Sequence, residues 1–124
     1  MSALVLTGTG VGVGDVAAVA RDGRKVEIGP DVIDRLEKAR KVLDQAAASS
    51  QQIYGLNTGL GANLGTAVEG DAGAFQRQLL EGRSGAVGEG LPVDAVRASM
   101  AARAAMLSVG GSGLSSSVFV ALLD

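Results

Sequence analysis

The sequence predicts a helix-rich α+β domain in which short N-terminal strands precede about four helices and two glycine-rich loops. Three observations predict it. Apolar residues recur at helical spacing from Val32 to Ala47, two short stretches near the N-terminus have strand character, and glycine punctuates the rest. At 124 residues the chain is about one small domain, read as a single domain over 1–124.

In order, Leu4-Val5-Leu6 reads as a strand ending at Thr7-Gly8. The run Gly8-Thr9-Gly10-Val11-Gly12-Val13-Gly14 has the glycines of a phosphate loop at the wrong spacing: a dinucleotide fingerprint needs them at i, i+2 and i+5. It is read as a turn into a short helix over Asp15–Ala20. Lys25–Ile28 alternates polar and apolar residues, as a half-buried strand does. Asp31 is placed to cap the clearest helix, whose stripe is Val32, Ile33, Leu36, Ala39, Val42, Leu43, Ala46 and Ala47, with a charged and solvated opposite face. The segment Ala62–Gly70 shows no periodicity and reads as a loop. Asp71 caps a helix through Leu80 that ends near Gly82, and Gly82–Gly90 forms the second glycine-rich loop. Pro92 precedes a helix from Val93 to about Val109, with Val93, Val96, Met100, Ala104 and Leu107 as its apolar line. Gly110-Gly111 stops it, and Ser115–Ser117 caps a last helical segment from Val118 to Asp124. That segment is apolar on every side, which suits a helix buried all round, so another copy, another chain or a continuation is expected to cover it.

Composition excludes several function classes. Aromatic residues make up only 2%, so the core is aliphatic and packed with small side chains. A net charge of −2 with scattered Lys and Arg leaves no footprint for nucleic acid. Without cysteine or histidine there is no disulfide, no thiolate chemistry and no expected metal site. No signal peptide and no apolar run of about 20 residues is found, so a soluble, cytoplasmic protein is expected.

The only tyrosine stands in Ile53-Tyr54-Gly55-Leu56-Asn57-Thr58-Gly59-Leu60-Gly61. On the residues alone, this stretch is either an active-site loop or a structural turn. A phenol with a reference pKa of about 10 needs a shift of about 3 units, or roughly 4 kcal/mol of site electrostatics, to act as a base near neutrality. The glycines let a ligand or another chain approach closely, and Asn57 and Thr58 either position a polar ligand or close the turn.

Tyr54–Gly61 resembles the Tyr-Gly-Val-Asn-Thr-Gly-Phe-Gly motif of the aromatic amino acid ammonia-lyases: the histidine, phenylalanine and tyrosine enzymes and the related aminomutases. The likeness covers nearly the whole chain. Phe75-Gln76-Arg77-Gln78-Leu79-Leu80 looks like the family's Leu-Gln-Arg-x-Leu helix, and Val87-Gly88-Glu89-Gly90-Leu91-Pro92 resembles its Val-Gly-Glu-Pro-Leu-Pro connection before an Arg97-bearing helix. The resemblance implies the N-terminal part of that fold, without the central helical bundle. It implies that Tyr54 sits on a mobile lid as the base taking a proton from the substrate's β-carbon or its amine, that Gly61 lies beside bound substrate, and that Arg83 helps recognise its side chain.

Family members use a methylidene-imidazolone electrophile cyclised from an internal Ala-Ser-Gly, and this sequence contains none. Gly111-Ser112-Gly113 aligns instead with a Ser-Gly turn ahead of the cofactor segment. Glu81-Gly82-Arg83-Ser84-Gly85 replaces the family's selectivity segment, so Arg83 either pairs with an acidic substrate group or is a surface residue. Ser115 stands where the family usually has arginine. The expectation is the N-terminal portion or small subunit of an ammonia-lyase or aminomutase. It supplies the Tyr54 loop for an aromatic or histidine-like L-amino acid, is inactive alone, and forms an oligomer with a chain carrying the cofactor segment. The alternative is a non-catalytic helical assembly module that retains the scaffold.

Overall fold

The computed structural model describes residues 1–49, 52–61 and 70–124. Its elements are β1 (Leu4–Leu6), α1 (Val13–Arg21), β2 (Val26–Ile28), α2 (Val32–Ala47), α3 (Ala72–Arg83), α4 (Val93–Leu107) and α5 (Ser116–Leu123). The expected helix-rich α+β class holds, with four helices after the strands and one between them. The chain falls into two compact units, Met1–Leu43 with Gly90–Asp124, and Asp44–Glu89.

In the first unit, β1 and β2 pair in parallel, with Leu4 opposite Val26 and Leu6 opposite Ile28. Parallel strands need a crossover, and α1 provides it. Leu4 and Leu6 are buried while Val5 between them is exposed, the alternation a half-buried strand requires. The crossover helix begins at Val13, two residues earlier than expected. The Asp15 carboxylate accepts the Gly12 N–H at 3.0 Å, and the Gly12 carbonyl accepts the N–H groups of Asp15 and Val16, so the glycine run is capped rather than loose. The Gly12 N–H, and then the Arg24 guanidinium 2.6 Å away, hold the Asp15 carboxyl below its ordinary pKa. Arg24 also donates to the Ser2 carbonyl at 2.8 Å, pinning the N-terminal segment beside β2.

Asp31 opens α2 as expected: its carbonyl accepts the Arg35 N–H at 3.1 Å. Val32 and Leu36 are fully buried, whereas Val42 further along the same stripe is exposed, so only the first half of the stripe enters the core. Arg35, on the flank of that stripe, donates through Nη2 to the carbonyls of Thr7 at 2.6 Å and Ser108 at 3.0 Å. One guanidinium thus ties the end of β1 to the end of α4. Gly8 is required there: it has φ +96°, and a Cβ on it would stand 2.9 Å from that Nη2.

The expectation for α4 needs correcting. It ends at Leu107; of the expected line Ala104 is buried and Leu107 packs against the core, whereas Val93, Val96 and Met100 are exposed and Ala101 is buried instead. α1 packs against α4, and small side chains allow the closest approach of two helices, so the alanine face goes inward. Arg97 reaches the Val19 carbonyl of α1 at 3.3 Å.

In α5 the Ser115 hydroxyl accepts the Val118 N–H at 3.4 Å. Phe119 is fully buried, Leu122 and Leu123 pack against the core, and Val118 and Val120 are exposed. The helix is therefore buried on one side, not all round, within the described residues. The core of this unit joins Leu4, Leu6, Val19, Val32, Leu36, Ala101, Ala104 and Phe119.

In the second unit, the Asp71 carboxylate accepts the Gly73 N–H at 2.9 Å and caps α3, which runs one residue past Gly82. The expected 62–70 loop lies, up to Glu69, outside the described residues. Residues 84–90 form no regular element and are exposed. Among the described residues, no helix is long and apolar enough to cross a membrane, and no cluster of acidic side chains could hold a metal ion.

Candidate functional site

The tyrosine stretch is a built turn. The N–H groups of Leu56 and Asn57 both point to the Ile53 carbonyl, at 3.1 and 3.3 Å. The Asn57 side chain closes the same turn by accepting the Ile53 N–H at 2.7 Å. Asparagine is suited to this because its short carbonyl reaches nearby backbone. Gly55 takes φ +76°, a left-handed conformation that glycine adopts without steric cost, and its Cα faces Leu60: an added Cβ would lie 3.3 Å from Leu60 Cδ2.

Thr58 is buried, and its hydroxyl lies 3.1 Å from the Gly59 carbonyl and 3.4 Å from that of Ile53. Asn57 and Thr58 therefore close the turn, the structural one of the two roles the sequence left open for them. Tyr54 differs: the residue is 63% exposed, on a turn whose backbone is hydrogen-bonded on either side of it. A second anchor comes from α3, where Gln76 Nε2 donates to the Gly55 carbonyl at 2.8 Å. The sequence places Gln76 in the family-like helix segment but gives it no role at the tyrosine turn. The available signal was a polar residue beside Phe75 and three positions before Leu79, on the half-buried face of its helix.

The other two candidate residues are placed less firmly. Gly61 is exposed, with φ +60°, at the end of the described part of the loop. Arg83 lies in the last turn of α3 and is exposed, and among the described residues no hydrogen bond or ion pair engages it. Its position at a helix C-terminus favours its charge whatever else it does.

Gly111-Ser112-Gly113 is engaged as a turn. The Ser112 hydroxyl accepts the Leu114 N–H at 3.3 Å, and Gly113, at φ +70°, is packed so that a Cβ would stand 2.8 Å from Leu43 Cδ2. With no Ala-Ser-Gly in the sequence and this serine in a turn, the residues present do not fit an internally formed methylidene-imidazolone. A cleft of about 380 Å³ in the first unit, lined by Val19, Lys25, Arg97, Met100 and Leu122 among others, contains no residue of the tyrosine turn.

Comparison with known proteins decides the family, because the model described as aromatic amino acid lyase matches residues 11–124. The chain belongs to the aromatic amino acid lyase family. It is 34% identical over 122 residues to a histidine ammonia-lyase of Treponema denticola, covering 98% of this chain and 24% of that protein. A histidine ammonia-lyase of Streptococcus sanguinis is 37% identical over 112 residues, covering 89% of this chain and 22% of its own length. Among solved structures, ergothionase from Treponema denticola, in complex with desmethyl-ergothioneine sulfonic acid, superposes with a TM-score of 0.90 at 32% identity. That match covers 98% of this chain and 25% of the ergothionase chain. Tyrosine aminomutase from Streptomyces globisporus gives a TM-score of 0.90 at 27% identity, over 98% of this chain and 23% of its own. The chain therefore spans about a quarter of the length of these aromatic amino acid lyase relatives, and its fold is that of their N-terminal part.

Proposed function

We propose that this chain is the N-terminal part of an ammonia-lyase or aminomutase acting on an aromatic or histidine-like L-amino acid, and that it supplies the base. The observation that carries this is Tyr54: a solvent-facing phenol on a turn whose backbone is bonded on both sides, within a family-matching stretch. In the proposed reaction, the deprotonated phenol takes a proton from the substrate's β-carbon. The electrons of that C–H bond form the new double bond, and the C–N pair leaves with ammonia, giving an α,β-unsaturated acid.

Gly61 is proposed to leave room for the substrate beside the turn, and Arg83 to meet its side chain. The electrophile is proposed to come from an Ala-Ser-Gly outside these 124 residues, in a partner chain of a homo- or hetero-oligomer or in a continuation of this one. On its own the chain is expected to be inactive.

The test is complementation. The chain is mixed with a family chain carrying Ala-Ser-Gly but lacking its own tyrosine turn, and the absorbance of the unsaturated acid is followed. The expected result is activity only in the mixture, falling about 100-fold or more for Tyr54→Phe, the scale of a lost general base. Full activity of Tyr54→Phe in an active mixture overturns the proposal. A stable complex that never gains activity favours the alternative, a helical assembly module, for which the exposed valines of α5 supply an apolar surface.

A further inference from the structure

The direction of the Tyr54 ring depends on the backbone of its turn, because the ring itself projects into solvent. The peptide before Tyr54 is fixed within the turn, where the Ile53 carbonyl accepts the N–H groups of Leu56 and Asn57 at 3.1 and 3.3 Å and Asn57 accepts the Ile53 N–H at 2.7 Å. The next peptide, Gly55–Leu56, is held within the turn only through its N–H, which donates to the Ile53 carbonyl at 3.1 Å. It belongs to Gly55, whose left-handed φ of +76° is open to glycine but whose backbone is also the softest of any residue. Its carbonyl is held from outside the turn, by Gln76 Nε2 at 2.8 Å, from a residue 21 positions away. Gln76 is half-buried, so this bond is partly shielded from water. It projects from a helix whose start is secured by the Asp71 cap.

We propose that Gln76 is the positioning residue of the tyrosine turn: its amide latches the Gly55 carbonyl to α3, so that Tyr54 presents its phenol in one direction. This rests on the reading of Tyr54 as the base, but it makes a separate claim about the backbone. Without the amide, that peptide keeps only its N–H bond to Ile53, and the softer Gly55 backbone lets the ring move with it. The turn would still form through Asn57, but Tyr54 would sample several directions. The loss expected is about fivefold in the ratio of latched to released turn, the worth of one partly buried neutral hydrogen bond.

The chain itself supplies the probe. It has one tyrosine and no tryptophan, so intrinsic fluorescence reports on Tyr54 alone. In the full 124-residue chain, Gln76→Met keeps the side-chain length and removes the donor, and Gln76→Glu keeps the polarity and loses the donor at neutral pH. Gln78→Met, on the exposed part of α3, is the control.

Both Gln76 variants are expected to lower the fluorescence anisotropy of Tyr54 and raise its quenching by acrylamide, with helical circular dichroism unchanged and the control like wild type. Wild-type values in both variants overturn the latch, and so does a loss of helical signal in both, which would make Gln76 a fold residue only. In the complementing mixture, Gln76→Met is expected to lower kcat about fivefold with KM unchanged. The two readings fail separately. A Gln76 effect on fluorescence with full activity of Tyr54→Phe removes the base and leaves the latch. An inactive Tyr54→Phe with unchanged Gln76 fluorescence removes the latch and leaves the base.

Discussion

Phe119→Ala tests where the stability of the first unit lies. Phe119 is fully buried and is the largest buried side chain, in a core otherwise built from Leu, Val and Ala. Removing the ring forfeits about 1.5–3 kcal/mol of transfer free energy and leaves a cavity that aliphatic neighbours fill only in part. Together these make a loss of about 3–5 kcal/mol for a buried phenylalanine. Against a whole-domain stability of about 5–15 kcal/mol this is a large share.

The assay is urea unfolding followed by far-ultraviolet circular dichroism. With a slope near 1.5 kcal/mol/M, typical of a small domain, the midpoint is expected to fall by about 2–3 M. Val118→Ala, one position earlier on the exposed side, should move it by less than about 0.5 M, since it removes little buried surface. Equal shifts for the two substitutions would refute the one-sided burial of α5 and the core built on it.

Arg35→Ala is expected to cost about 2–4 kcal/mol in the same urea assay, because it strips charge-assisted bonds from the Thr7 and Ser108 carbonyls together. Arg35→Lys should recover less than half, since an ammonium lacks the guanidinium's spread of donors; full recovery would show that charge alone matters there. Acid should weaken the start of α1. Asp15 has a folded pKa below its ordinary value, so its contribution is fully present above the ordinary aspartate range and is lost as pH falls through the lower folded value. Thermal melts of wild type and Asp15→Asn are therefore expected to differ at pH 7 and to converge as pH falls through the lowered folded value, and a difference that stays constant across the acid range would contradict the assignment.

Local pattern was enough for much of this chain, because some signals act within a few residues. The strand alternation of Leu4–Leu6, the caps at Asp71 and Ser115, and the helical stripe from Val32 each need only neighbouring side chains to be recognised. The motif around Tyr54 was legible as a family resemblance, and the aromatic amino acid lyase match agrees with it. The early start of α1 was missed because Asp15 was read as the first residue of a helix, when its carboxylate reaches back to Gly12.

What stayed illegible depends on pairs distant in the chain. Periodicity placed Ala104 and Leu107 of α4 on the inner side but put Val93, Val96 and Met100 with them, which folding leaves exposed while it buries Ala101. Nothing in the order of residues says that Arg35 would bond carbonyls at Thr7 and Ser108, or that Gln76 would reach Gly55. A polar side chain on a half-buried helical face looks the same in sequence whether it meets water or a carbonyl, and only folding brings that carbonyl within 3 Å. For the tyrosine turn the division is clear: the local residues bend the chain at Tyr54, and a helix residue 21 positions on from Gly55 supplies an amide to the Gly55 carbonyl.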